Sequence, residues 1–221
     1  MKKAAAAILL VMATIGLFAT DALTVPEPSD VPVTWEFDFE HGRPRPIQVK
    51  VPGKDKPQTF WYLMFTVGNS TGEEQTFAPE FVLYTDTGQV LRAGRKVPMK
   101  VFQTIREAHN APLLKRIEDM TGKLLQGEDN AKDGVAIWPD FDPKAGAVDI
   151  FVGGLSDDKA EIKLPAPITV TESDGKGGEK EVQRDTVVLS RTRKLSYNIP
   201  GEAAERFYTP ARFLGATWVM R

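Results

Sequence analysis

Thr59-Phe60-Trp61-Tyr62-Leu63-Met64-Phe65-Thr66-Val67 is the stretch on which the fold turns. Trp61, Leu63, Phe65 and Val67 alternate onto one face of an extended chain, while Phe60, Tyr62 and Met64 make the opposite face apolar over its first half. A strand loaded on both faces cannot lie at a solvated surface, so this run belongs in the middle of a sheet with cover on each side.

The same period of two continues on both sides of it. Upstream, Val33, Trp35, Phe37 and Phe39 share a face, and Ile47, Val49 and Val51 repeat the pattern. His41-Gly42-Arg43-Pro44-Arg45-Pro46 supplies turn residues between them. Downstream, Asn69-Ser70-Thr71-Gly72 turns the chain into 76–85, where Pro79 marks an edge or a bulge, and Asp86-Thr87-Gly88 reads as a tight turn into 89–92. Further strands are expected at 134–138, 147–152 and 162–170, on either side of 191–194, and at 217–220.

One segment breaks the pattern. Val101, Ile105 and Ala108, then Leu113, Ile117, Met120 and Leu124, follow helical spacing, so 98–124 is predicted to be an insertion of two short helices, the second capped by Asn110 with Pro112 in its first turn. The expected fold class is mainly β: an antiparallel immunoglobulin-like sandwich with that helical insertion.

Tyr62 to Gln89, Leu125-Gln126-Gly127-Glu128-Asp129, Gly134-Val135-Ala136-Ile137-Trp138 and Asp149-Ile150-Phe151-Val152-Gly153-Gly154-Leu155-Ser156 resemble exported bacterial proteins of unassigned function. The wider pattern is similar to immunoglobulin-like modules of secreted bacterial antigens and lipoproteins. The resemblance implies a fold and export, and brings no catalytic residue with it.

Export is also written at the start of the chain. Lys2 and Lys3 precede an apolar run from Ala4 to Ala19, and Thr20-Asp21-Ala22 offers small residues for cleavage after Ala22, with Ala19 as the second choice and an uncleaved anchor as the alternative. The run is shorter than the roughly 20 residues that cross a bilayer core. The expected organisation is a signal peptide at 1–22, an extended proline-rich lead-in at 23–32 and a single sandwich domain at 33–221, located in the periplasm or outside the cell with no membrane span after cleavage.

With no cysteine, the exported domain must stand on its core, and disulfide scaffolds, thiol chemistry and cysteine metal sites are excluded. The formal net charge of -2 lacks the positive field that nucleic-acid binding needs.

Few residues invite chemistry. His41 and His109 sit in no triad or zinc spacing, so structural roles are expected for both. Asp129-Asn130-Ala131-Lys132-Asp133-Gly134, with Asp140 at the twelfth place, approaches an EF-hand loop, but Ala131 stands where an oxygen ligand is required and a strand follows instead of a helix. No metal is expected; Asp129, Asp133 and Asp140 would be its ligands if one bound, and Gly134 is read as supplying backbone freedom to a polar turn. The pairs Asp140/Asp142 and Asp157/Asp158 are too close in sequence to flank a glycosidic bond by themselves. Arg191, Arg193 and Lys194 read as an exposed edge that discourages sheet-to-sheet aggregation. Trp138-Pro139-Asp140-Phe141 runs from a strand into a loop, which makes Trp138, Asp140 and Phe141 the candidate binding residues, as an exposed aromatic edge.

The expectation is therefore an exported, non-enzymatic immunoglobulin-like module without a cofactor or catalytic residue, binding a protein or a cell-envelope component. The alternatives are a carbohydrate-active hydrolase using loop carboxylates and a purely structural envelope protein.

Overall fold

A computed structural model describes residues 26–28, 34–173, 178–202 and 204–221. The leader, both cleavage positions, Val33 and most of the 23–32 lead-in lie outside the described residues.

Two short strands, β1 (Asp38–His41) and β2 (Arg45–Val49), lie end to end along one edge of β3 (Gln58–Gly68), the strand formed by the doubly apolar run. The Pro79 interruption divides the next run into β4 (Gln75–Phe77) and β5 (Glu80–Thr85), and the Gly88 turn leads into β6 (Val90–Arg92). A helix, α1 (Met99–Ala108), is followed by β7 (Lys115–Arg116), β8 (Gly122–Leu124) and β9 (Lys132–Pro139). The chain closes with β10 (Ala147–Gly153), β11 (Lys159–Ser173), β12 (Glu179–Asn198) and β13 (Arg212–Met220). The protein is mainly β, with antiparallel sheets; among the described residues there is one α-helix, and only the short β7 runs parallel, beside β9.

β3 is central, between β1 and β2 on one side and β9 on the other. Its Trp61, Leu63, Phe65 and Val67 meet Phe81 and Leu83 of β5, Val148, Ile150 and Val152 of β10 and Leu195 and Tyr197 of β12, so two sheets enclose one core. Each such buried apolar side chain contributes roughly 1.5 to 3 kcal/mol. On the other face of the same sheet, Phe60 and Tyr62 join Val135 and Ile137 of β9 under Val101, Phe102 and Ile105 of α1. Cover on both sides of β3 is thus supplied by a second sheet and by a helix, as its sequence requires.

The second predicted helix does not form. After α1, Asn110 takes a left-handed φ of 47° and ends the helix where it was expected to begin one. The chain then runs as β7, a single 3₁₀ turn at Ile117–Asp119, and β8 paired with β4. Ile117, Met120 and Leu124 are all buried, but in the shared core between the sheets, where a 3₁₀ turn and an extended segment satisfy a spacing that a helix would also satisfy.

β12 has two environments. Its first half pairs only with β11, as a ribbon whose register slips between Lys163 and Ile168, where Pro165 and Pro167 have no N–H to give to the ladder. Its second half is central, between β10 and β13. The expected exposed edge at Arg191–Lys194 is therefore interior: Arg191 is buried, Arg193 stacks on Trp218 of β13, and Lys194 pairs with Asp149 of β10 at 2.9 Å.

Candidate functional site

Three connections meet at one end of the sandwich: the β5–β6 turn, the β9–β10 loop (140–146) and the β12–β13 connection (199–211). Each is tied to the next by backbone hydrogen bonds. Asp142 N–H donates to Gln89 Oε1 at 2.7 Å, Gly146 N–H reaches both carboxylate oxygens of Asp86 at 3.1 and 3.2 Å, and Ile199 N–H donates to the Gly146 carbonyl at 2.8 Å.

Arg206 completes the assembly. A 3₁₀ turn at Glu205–Phe207 delivers its side chain into the interior, where it is buried. Its guanidinium donates to the carbonyls of Pro200 at 3.2 Å, Ala145 at 2.8 Å and Gly201 at 3.3 Å, with further contacts to those of Asp142 and Pro143. The planar fork of five donors suits a cage of carbonyls that no other side chain would satisfy.

This frame carries an apolar surface. Phe207, Tyr208, Phe213 and Leu214 are all exposed, Tyr208 to 89% and Leu214 to 57%. The Phe213 ring lies 5.3 Å from those of His41 and Tyr197, so its base is anchored while its edge faces solvent. Exposed Arg43 and Arg212 add positive charge nearby. Aromatic and arginine side chains over a held scaffold are the composition of recognition surfaces.

The residues singled out from sequence lie just beneath. Trp138 is fully buried in the core, and Phe141 is buried against Trp61 with ring centroids 4.7 Å apart. Asp140 accepts from the Trp61 indole N–H at 3.0 Å and from Phe141 N–H at 3.1 Å. The expected exposed aromatic edge is absent because the β9–β10 loop folds inward over Trp61. These three residues support the end loops from below.

The aspartates are equally local in their bonding. Asp133 accepts from Thr66 Oγ1 at 2.7 Å, and Asp142 caps the N–H of Lys144 at 2.8 Å. Asp133 and Asp140 stand at opposite ends of β9, about 23 Å apart at the usual rise per strand residue, so they cannot share an ion. Among the described residues no group of three or more acidic or histidine side chains is gathered to hold a metal. His109 shares a hydrogen bond of 2.9 Å with the Tyr62 hydroxyl, whose pKa is raised by burial. Among the described residues no helix is long and apolar enough to cross a membrane.

Sequence reasoning passed over the stretch Phe207-Tyr208-Thr209-Pro210-Ala211-Arg212-Phe213-Leu214. Its signal was four large apolar residues around a proline without alternation, which marks a connection rather than a core strand. No protein-family model, no curated protein and no solved structure matches the chain.

Proposed function

We propose that this chain is an exported, non-enzymatic binding module of immunoglobulin-like type, which recognises a protein or another component of the cell envelope through the loops at one end of its sandwich. The observation that carries the reading is the exposed Phe207 and Tyr208 on the connection held by Arg206, continued by exposed Phe213 and Leu214 at the start of β13. Exposed aromatic groups clustered on a scaffold held by a buried arginine are better explained by a partner than by folding. The leader-like sequence at 1–22 supports the location.

The test is chemical crosslinking of the exported protein within intact envelope, comparing the wild type with Tyr208→Ala/Leu214→Asp. Specific crosslinked species that disappear in the variant, while its thermal melt stays unchanged, support the reading. Identical species in both would overturn it. Turnover of a glycan that is lost in Asp142→Asn would establish the hydrolase instead.

A further inference from the structure

Arg191 enters the space between the sheets far from the end loops, seven residues or about 23 Å along β12 from Asn198. It is 2% exposed, and its guanidinium carbon lies 4.5 Å from the centre of the Trp218 ring; that of Arg193 lies 5.0 Å from the same ring. Two cations on one indole fix its orientation and leave the edges of the guanidinium planes for hydrogen bonding.

The bonding of Arg191 is incomplete. Its Nη2 lies 3.5 Å from Glu36 Oε2, too long for a good hydrogen bond, while Nε and Nη1 are buried and donate to no atom of the described residues. A charged donor held out of water without an acceptor costs several kcal/mol in general, so such a group points to an acceptor that is not part of the sandwich. Arg191 lines a groove of about 630 Å³, within the range of small-molecule sites. Arg193, Trp218 and Ala216 line it too, and the lead-in forms another wall with Pro26 and Pro28. Glu27, between those prolines, also lines the groove; it is exposed and forms no ion pair with either arginine.

We propose that Arg191, Arg193 and Trp218 form a binding site for a small organic carboxylate that also carries an apolar body. Nε and Nη1 point to different edges of the guanidinium and cannot serve one carboxylate as a fork, so a carboxylate oxygen accepts from one of them while Arg193 supplies the second charge, and Trp218 with Ala216 and the two prolines accepts the apolar part. Nε and Nη1 are closed to solvent, so binding requires the groove to open beside Arg191. The site is separate from the proposed recognition loops and does not depend on them.

The full exported chain is titrated with 3-phenylpropanoate, 3-phenylpropanamide, acetate and N-acetyl-Pro-Glu-Pro-amide at equal ionic strength, following tryptophan fluorescence and the thermal melt. Saturable stabilisation by phenylpropanoate, at least about tenfold tighter than by the amide, is the expected result, since one charge-assisted pair contributes that much. Arg191→Gln should abolish it. Because Arg191→Gln risks misfolding, the half-buried Arg193→Gln serves as the second variant and should weaken binding by about tenfold.

Equal binding of acid and amide, or no effect of Arg193→Gln, overturns the proposal. Tighter binding of the peptide than of phenylpropanoate overturns the small-molecule assignment in favour of an acidic peptide. The Asp157 Oδ1 atom is also buried without a partner among the described residues, one residue before the Asp158 carbonyl that accepts from Arg191 N–H. No response to any carboxylate, together with thermodynamic coupling between Asp157→Asn and Arg191→Gln, would show that Arg191 is satisfied internally and would also overturn it.

Discussion

The hydroxyl of Tyr197 lies 2.9 Å from Nδ1 of His41, a hydrogen bond between side chains 156 residues apart that joins β12 of one sheet to β1 of the other. The same hydroxyl donates to the Gly42 carbonyl at 3.1 Å, and His41 Nδ1 lies 3.0 Å from that carbonyl, so the three groups form one hydrogen-bonded cluster. Replacing Tyr197 with phenylalanine keeps the ring in the core and removes both hydrogen bonds of the hydroxyl. The expected cost is about 1 kcal/mol in denaturant unfolding, because the link between the sheets is lost while His41 Nδ1 and the Gly42 carbonyl keep each other as partners at 3.0 Å.

Burial raises the pKa of the Tyr197 phenol far above the ordinary tyrosine value of 10.0, against a smaller opposing pull from Arg43, and burial raises Tyr62 as well. Above pH 10.0 the unfolded chain therefore releases phenolic protons that the folded chain still holds, and the difference drives unfolding. Stability from these two groups is complete below that pH and declines as pH rises beyond it. Unfolding followed across the alkaline range should show the decline, and Tyr197→Phe should make it shallower.

Gly134 faces Phe65 across the β3–β9 ladder, and a Cβ added there would fall 2.4 Å from the Phe65 ring and 2.4 Å from the Met120 sulfur. Its φ lies outside the left-handed region, so the position needs the missing side chain and not the backbone freedom expected of it. Phe65 cannot swing away, since its ring is packed 4.6 Å from Phe81 and 5.7 Å from Phe39. Gly134→Ala is expected to cost about 1 to 3 kcal/mol, as overpacked cores do. Combining it with Phe65→Leu should be less harmful than the sum of the two, and a strictly additive cycle would place the strain elsewhere.

What the sequence made legible was whatever rests on a simple period. The two apolar faces of β3, the break at Pro79 and the Gly88 turn all follow from alternation and turn chemistry. The region after α1 did not, because Ile117, Met120 and Leu124 are buried at intervals that a helix, a 3₁₀ turn or a crossing segment can all provide. Arg191 misled for a related reason. Charge in a strand usually marks an edge, and nothing local reveals that Trp218, 27 positions later, stacks on it. Trp138 and Phe141 looked exposed because a loop follows them, but the fold of that loop is decided by Asp140 reaching Trp61 from another strand.

Calcium provides a check on the acidic turn. Asp133 is occupied by Thr66 and stands a strand's length from Asp140, so millimolar calcium should shift the melting temperature no more than magnesium at matched ionic strength. A calcium-specific rise that Asp133→Ala abolishes would mean that the 129–134 turn rearranges to gather ligands.

The end loops offer the sharpest separation of scaffold from recognition. Arg206 is buried and spans carbonyls on both the 140–146 and the 199–211 connections, so Arg206→Lys leaves a charge in place but too few donors to reach both. A loss of about 2 kcal/mol or more is expected, with faster amide exchange at Ile199, whose hydrogen bond to the Gly146 carbonyl depends on the two loops staying together. Tyr208→Ala removes a ring that is almost wholly in solvent, and should change stability by less than about 0.5 kcal/mol. If Tyr208→Ala were as destabilising as Arg206→Lys, the exposed ring would be part of the scaffold, and the case for recognition through this end of the sandwich would fail.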